Sequence, residues 1–189
     1  MKFQLTLFFL LFGVLTSCKK EIPLVFSSES FTEDTLDMCK NIGCPEITIN
    51  YVEALGEEAV SEKINSEIRT FIITALNIGD DSIPKAKTIA EAASYFIKTY
   101  RMHSAEFPDM SAEYIAELYV SESYLSKEVL SLEFEQYLYA GGAHGNGTTT
   151  FMNFDSRTGI KIPSEALFKN IKNFTVFADG CLSLPRLPL

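Results

Sequence analysis

The side chains of this chain that could carry chemistry are few: four cysteines and two histidines in 189 residues. Cys39 and Cys44 are close in sequence, and a disulfide between them would contribute roughly 2 kcal/mol by closing a small loop. Two free thiols are the alternative. Zinc binding by this pair is disfavoured, because the spacing is not Cys-x-x-Cys and only His103 and His144 could add imidazole ligands. Cys181 has no evident partner.

The fourth cysteine, Cys18, stands at the end of an export signal. An apolar run over residues 5–15 follows Lys2, and the small residues Thr16-Ser17 directly precede Cys18. This order indicates a secretory signal, and the run is shorter than the about 20 apolar residues that span a bilayer. The pattern resembles a bacterial lipoprotein signal, in which the cysteine is acylated and becomes the first mature residue. A cleaved signal without lipid is the alternative.

The signal predicts the organisation of the N-terminal part. Residues 1–17 would be removed as a signal peptide, and residues 18–37, which are polar and rich in Ser and Glu, would form a tether between the lipid on Cys18 and the folded body. We therefore expect an extracytoplasmic protein anchored to a bacterial membrane. Lys19-Lys20 lacks the aspartate associated with inner-membrane retention, which favours the outer membrane. An oxidising compartment also favours the Cys39–Cys44 disulfide.

Composition limits the class of protein and its partners. The hydrophobic fraction is 47%, which is typical of a globular domain and not of a disordered chain. The formal net charge of −9 repels phosphate backbones, so nucleic acid is not expected as a partner. Cationic proteins or peptides would be attracted. Ordinary solubility is the alternative explanation of the charge.

Hydrophobic periodicity predicts helices and strands in one domain. Apolar residues recur every three or four positions in two segments, the second opened by a capping box of Thr88 and Glu91. Alternating patterns predict strands with one packed face and one solvated face. The order indicates an α+β domain, with helices on a mainly antiparallel sheet. The expected helices are 57–76 and one from 88; the expected strands are 47–51, 114–120, 130–138 and 148–154, then 160–162 and a short helix capped by Ser164.

A glycine cluster separates two of these strands. In a strand–loop–strand setting, clustered glycines usually form a tight connection. They could also let a ligand approach the backbone, with Tyr139, Gly141, Gly142, His144 and Gly145 as possible contacts. No serine-hydrolase motif is present. The two carboxylates Glu133 and Glu135 share a strand face, predicted to be the solvated one. No catalytic residue, metal ligand or cofactor is therefore predicted.

Several short motifs resemble one extracytoplasmic family. That domain precedes the catalytic module of PdaC-type peptidoglycan deacetylases, and a similar one forms the outer part of RsiV-type anti-sigma factors, which sense lysozyme. The similarity covers residues 44–170. Its motifs are Cys44-Pro45, Ile64-Asn65, Tyr137 to Gly145, Asn153-Phe154-Asp155, Thr158-Gly159 and Ala166-Leu167-Phe168.

The resemblance implies an α+β domain over residues 38–177 that binds something in the cell envelope. It does not bring an active site, because the metal-dependent chemistry of the deacetylases belongs to a separate downstream domain. The chain differs from an anti-sigma factor, since it has no intracellular segment or spanning helix. Residues 178–189, with two prolines, are predicted to be an irregular tail, and a truncated or frame-shifted copy lacking a strand is expected.

These features lead to two main hypotheses, beside the third possibility of a purely structural or degraded protein with no ligand of its own. The first is a non-catalytic envelope lipoprotein, held to the membrane through lipid on Cys18, that binds peptidoglycan, another glycan or a cell-wall-active protein such as a basic muramidase. Opposite charges would speed the encounter with such an enzyme. The second is an accessory or catalytic hydrolase or deacetylase of envelope glycans, with carboxylates or a metal site assembled by the fold.

Overall fold

The computed structural model describes residues 22–79, 84–108 and 112–182. The predicted signal peptide at 1–17, the predicted lipid site Cys18 and residues 183–189 lie outside these ranges. The described chain forms one α+β domain, as predicted, with a sheet on which two helices pack. The strands are β1 (Val25–Thr32), β2 (Glu46–Leu55), β3 (Ile115–Leu125), β4 (Val129–Tyr139), β5 (Asn146–Asp155) and β6 (Lys161–Ile162); the helices are α1 (Glu58–Ala75), α2 (Ile89–Glu106) and α3 (Ile171–Leu182).

The six strands lie side by side in chain order. All neighbours are antiparallel except β2 and β3, which pair in parallel from Glu46↔Ile115 to Tyr51↔Val120. A parallel pair needs a long crossover, and the segment with α1 and α2 provides it. β6 is only two residues long and pairs with Asn153 and Phe154 alone.

The core lies between one face of the sheet, here called the inner face, and the two helices. Side chains that alternate along β2, β3 and β4 meet the apolar stripes of α1 and α2, in agreement with the predicted periodicity. Phe71 of α1 contacts Phe134 of β4 edge to face, with ring centroids 5.0 Å apart. The inner-face residues include Ile47, Ile49, Ala116, Leu118, Val120, Leu130, Leu132 and Phe134, all buried.

The two helix starts follow different rules. The Thr88 hydroxyl accepts a hydrogen bond from the Glu91 amide at 3.1 Å, and the Glu91 carboxylate accepts one from the Lys87 amide at 2.7 Å, so α2 begins with the predicted cap. At α1 the residue Glu57 precedes the helix without a side-chain cap. Burial of its apolar stripe, and not capping, therefore fixes the start of α1.

The prediction of a tether over residues 18–37 is wrong from Val25 onward. β1 pairs antiparallel with β2 along its whole length, from Val25↔Leu55 to Thr32↔Thr48. Phe26 and Phe31 pack against the core. The serines and Glu29 between them hid this strand, because an edge strand needs few apolar residues once a neighbour supplies the hydrogen-bond ladder.

Other boundaries also differ from the predictions. β3 continues through Ser121-Glu122-Ser123 to Leu125, because β4 pairs with it, with a register shift between Glu122 and Tyr124. Ser164 is the first residue of a 3₁₀ turn and not its cap. Residues 178–182 are helical and not irregular, since α3 continues to Leu182.

Cys39 and Cys44 form a disulfide in the segment between β1 and β2. Arg101 of α2 lies beside it: its guanidinium donates to the Met38 carbonyl at 2.9 Å and to the Cys44 sulfur at 3.3 Å. The segment is thereby fastened to the second helix. Cys181 is exposed and has no disulfide partner among the described residues.

Candidate binding site

The predicted ligand loop connects β4 to β5 at one end of the sheet. Gly141 and Gly142 have φ values of 85° and 105°, which only glycine adopts easily. The Tyr139 hydroxyl donates a hydrogen bond to the Gly142 carbonyl at 3.0 Å and closes the turn. These contacts give the first half of the cluster a structural role, as a tight hairpin connection.

Gly145 has a different role, because it lets an aromatic ring approach the backbone. A Cβ atom at this position would overlap the ring and hydroxyl of Tyr137. The Tyr137 ring therefore lies against the chain at Gly145 and remains 40% exposed. Sequence reasoning did not include Tyr137 among the ligand contacts, although its alternation with the inner-face Leu138 already placed it on the opposite face of the sheet.

His144 is exposed at the tip of this connection. Its Nδ1 lies 3.0 Å from the Gly145 carbonyl oxygen, and only the imidazole can donate in that pair. If Nδ1 donates, Nε2 is the acceptor nitrogen of the neutral ring. No group of three or more His, Cys, Asp or Glu side chains in the described ranges is placed to hold a metal ion.

An aromatic cluster supports the loop from the inner side. The Tyr114 hydroxyl lies 2.6 Å from Nδ1 of His103, and its ring contacts Phe96 and Tyr100 with centroids 5.9 and 5.2 Å apart. A Cβ at Gly141 would lie 3.5 Å from this ring. Burial, and then the neighbouring Tyr139, raise the pKa of Tyr114 above its usual value. The ring of Tyr114 lies against the base of the loop at Gly141.

The opposite side of the sheet, here called the outer face, carries exposed tyrosines and carboxylates. Cross-strand pairing sets Glu117 beside Tyr137 and Tyr119 beside Glu135. Directly opposed residues have Cβ atoms about 4.5–5.5 Å apart. Acidic and phenolic groups therefore alternate across β3 and β4. Tyr119 is 38% exposed, and the loop with Tyr137 lies at one end of this surface.

Glu133 extends the outer face toward β5, where it pairs with Phe151. Glu135 is exposed and Glu133 is half-buried, as expected for a solvated strand face. No lysine or arginine in the described part of the chain forms an ion pair with Glu117, Glu133 or Glu135. The outer face therefore presents uncompensated negative charge next to aromatic rings.

A cleft of about 380 Å³ lies elsewhere, between the C-terminal end of α1 and α2. Leu76, Tyr95, Met102 and His103 are among the side chains that line it. None of the predicted contacts Tyr139, Gly141, Gly142, His144 and Gly145 lines this cleft. The predicted contacts thus lie outside this cleft, at the connection between β4 and β5.

Comparison with known proteins supports the family. The sequence model of the family described as deacetylase PdaC matches residues 39–147, more than half of the chain. This range holds the disulfide, both packed helices, β3, β4 and the loop. No curated protein matches the chain.

Two solved structures share the fold. One is a member of the DUF3298 family from Bacteroides fragilis, with 19% identity and a TM-score of 0.60, covering 88% of this chain and 72% of that one. The other is a DUF3298 family protein from Pseudomonas aeruginosa, with 14% identity and a TM-score of 0.51, covering 86% of this chain and 65% of that one. At these identities the likeness concerns the fold alone.

A helix that crosses a membrane needs about 20 mostly apolar residues. None of the helices in the described ranges is both long enough and apolar enough to cross one. The family model matches the disulfide, both packed helices and the glycine loop. This chain therefore belongs to the deacetylase PdaC family, as an extracytoplasmic domain of the cell envelope.

Proposed function

We propose that this protein is a non-catalytic, lipid-anchored binding protein of the bacterial envelope. Its ligand in this proposal is a basic cell-wall-active protein of the lysozyme type. The observation that carries the proposal is the outer face, where Tyr119 and Tyr137 alternate with three carboxylates that form no ion pair within the described residues.

The chemistry of this surface fits lysine and arginine side chains. A cation placed over a tyrosine face gains about 0.5–1 kcal/mol at an exposed site, and more when water is excluded. Glu117 and Glu135 are the cross-strand neighbours of the two rings, so one cationic group can contact a ring and a carboxylate together. An exposed sheet face of this kind, acidic and aromatic, suits a folded basic partner better than a small molecule, which needs a concave pocket.

The net charge supports the same partner through the rate of encounter. The chain carries a formal charge of −9. A partner of opposite charge is steered toward it, and this gain falls as salt rises. Lipid on Cys18, which lies outside the described residues, would hold the outer face at the membrane surface where cell-wall enzymes act.

The experiment that tests the proposal measures binding of detergent-solubilised full-length protein to immobilised lysozyme at two salt concentrations. We expect retention that weakens between low and moderate salt. Tyr137→Ala should weaken binding by about tenfold, because it removes one of the two exposed tyrosine rings of the surface. The double variant Glu133→Gln with Glu135→Gln should lower the association rate and flatten the salt dependence.

A matched control has the same charge change away from the outer face. Glu106→Gln with Glu165→Gln alters two exposed carboxylates, one at the end of α2 and one in the 3₁₀ turn after β6. This control should bind nearly as well as the wild type. An equal loss of lysozyme binding in both double variants would mean that only the net charge of the protein matters. The outer face would then not be the binding surface.

The same purified protein also tests two alternative functions, glycan binding and deacetylation. Retention on insoluble peptidoglycan that does not change with salt would favour glycan binding, since sugars stack on tyrosines without net charge. Release of acetate from peptidoglycan, together with bound zinc, would replace the binding role by a deacetylase one. Absence of retention on both lysozyme and peptidoglycan would leave the proposal without support.

A further inference from the structure

β5 has an open edge over residues 146–152. β6 pairs only with Asn153 and Phe154, so on this side the preceding seven residues have no strand neighbour in the described chain. Their described backbone hydrogen bonds run to β4 alone. Seven residues extend about 23 Å. This open edge is thus long enough to accept a full additional strand.

The open edge lacks the features by which proteins usually block edge pairing. Its sequence is Asn-Gly-Thr-Thr-Thr-Phe-Met, without charge or proline. Natural edges are commonly protected by lysine, proline, a bulge or a cover. Residues 146–151 are all exposed, and Phe151 keeps 51% of its surface in solvent. Threonine and phenylalanine also favour strands.

We propose that the open edge pairs with the same edge of a second copy, antiparallel and centred on Thr149. In that register Gly147 lies opposite Phe151 of the partner subunit, and Thr148 lies opposite Thr150 of the partner subunit. The arrangement is symmetric, as a two-fold contact requires. It joins two six-stranded sheets into one.

The side chains argue for a second copy as the occupant. Gly147 and Phe151 are each two residues from Thr149. In the register centred on Thr149, Phe151 of each copy therefore lies opposite Gly147 of the other copy. An aromatic ring covering a cross-strand glycine is a known stabilising device in sheets. Tyr137 of β4 pairs with Gly147 on the other side. The two rings then meet above the glycine on the outer face, and Phe151 loses much of its exposure.

Electrostatics allows this contact although the chain is acidic. The open edge itself is uncharged, and the outer-face carboxylates nearest to it are Glu133 and Glu135 on β4, paired with Phe151 and Thr149. Across the contact the two β4 strands would be three strand spacings apart, about 14 Å. This exceeds the Debye length of about 8 Å at physiological salt. Self-association should therefore persist or strengthen as salt rises, unlike binding of a basic protein. The inference does not depend on the proposed function.

Cysteine cross-linking in the bacterial envelope tests the register, with full-length protein in a Cys181→Ser parent. Thr149→Cys should form a disulfide-linked dimer, because residue 149 would face itself across the axis at a Cα distance suited to a disulfide. Thr148→Cys and Thr150→Cys alone should stay at the level of the parent. Coexpressing these two variants should give the dimer.

Three outcomes would overturn the proposal. One is no dimer above the parent level from Thr149→Cys or from the coexpressed pair. Another is equal cross-linking of all three single variants, which indicates random collision. The third is capture of a different protein by Thr149→Cys, which would identify another occupant of the open edge.

A second measurement uses charge to block the edge. Thr149→Lys should abolish dimers of the detergent-solubilised full chain in analytical ultracentrifugation, because it places a lysine on the open edge. Ser28→Lys, an exposed position on β1 at the other edge of the sheet, is the matched control and should keep them. Retained dimers in Thr149→Lys, or equal loss in both variants, would contradict pairing through β5.

Discussion

Replacing Asn65 with alanine tests how the sheet is joined to its first helix. Asn65 is buried on α1, and its side-chain amide makes two hydrogen bonds with the backbone of Ala54 on β2. Oδ1 accepts from the Ala54 N–H at 2.7 Å, and Nδ2 donates to the Ala54 carbonyl at 3.0 Å. The parallel pairing of β2 with β3 ends at Tyr51. The amide therefore takes the place of a neighbouring strand at the end of β2.

The expected cost follows from these two bonds. Asn65→Ala leaves a buried N–H and a buried C=O without partners, and each unsatisfied group costs about 1–3 kcal/mol. Alanine recovers about 0.5 kcal/mol through its higher helix propensity. We expect the free energy of unfolding to fall by about 3 kcal/mol. With an m value of about 2 kcal/mol/M, the urea midpoint moves down by about 1.5 M.

The assay is urea unfolding followed by circular dichroism, on the chain from residue 19 so that no lipid is present. Ser66→Ala is the matched control, since Ser66 is exposed on the next position of α1. It should change stability by no more than about 0.5 kcal/mol. Asn65→Asp should be as damaging as Asn65→Ala at neutral pH, because a carboxylate cannot donate to the Ala54 carbonyl. Its deficit should shrink in acid, where the new carboxyl can donate.

A midpoint for Asn65→Ala within 0.3 M of the Ser66→Ala midpoint, on the order of the control effect, would refute the reasoning. It would mean that water or a shifted strand satisfies the Ala54 backbone at little cost. A normal midpoint with a changed slope would instead indicate altered compactness of the unfolded chain.

Two further predictions concern the disulfide and one turn. Replacing Cys39 and Cys44 together by serine should lower the free energy of unfolding by about 2 kcal/mol, because the short loop is no longer closed. Reducing agent should lower the thermal midpoint of the wild type but not that of this variant. A reductant effect on the variant would contradict a stabilising role of the Cys39–Cys44 disulfide. The backbone N–H of Arg157 is the main cause that holds the pKa of Asp155 below its usual 3.8, with the Thr158 N–H and the Arg157 charge adding to it. The carboxylate therefore stabilises the fold above that ordinary value and loses this effect as pH falls through the lowered pKa. The difference in thermal midpoint between wild type and Asp155→Asn should be constant at pH values well above 3.8 and should shrink as the pH falls below that value. A difference that stays constant on acidification would exclude the carboxylate as its source.

The local sequence pattern alone determined which residues of α1, α2 and β4 face the core. The stripe of α1 and the alternation of Leu130, Leu132 and Phe134 are read directly from the sequence, because a helix and a strand each repeat with a fixed period. The cap of α2 and the class of fold follow from the same local rules. The position of Glu133 and Glu135 on the solvated face is also fixed by alternation, since Leu132 and Phe134 must face the core.

Tertiary structure decided what is not local. β1 is a strand because it forms hydrogen bonds with β2 and because Phe26 and Phe31 pack against the core. Its serine-rich sequence has no periodicity from which this strand could be predicted. The role of Gly145 depends on the ring of Tyr137, and that of Gly141 on Tyr114, which lies just before β3. The outer face and the open edge of β5 exist only because pairing places β3, β4 and β5 side by side and stops β6 after two residues. Sequence gives each residue its chemistry, whereas the fold decides which chemistries become neighbours, since long-range pairing brings together positions that no local period connects.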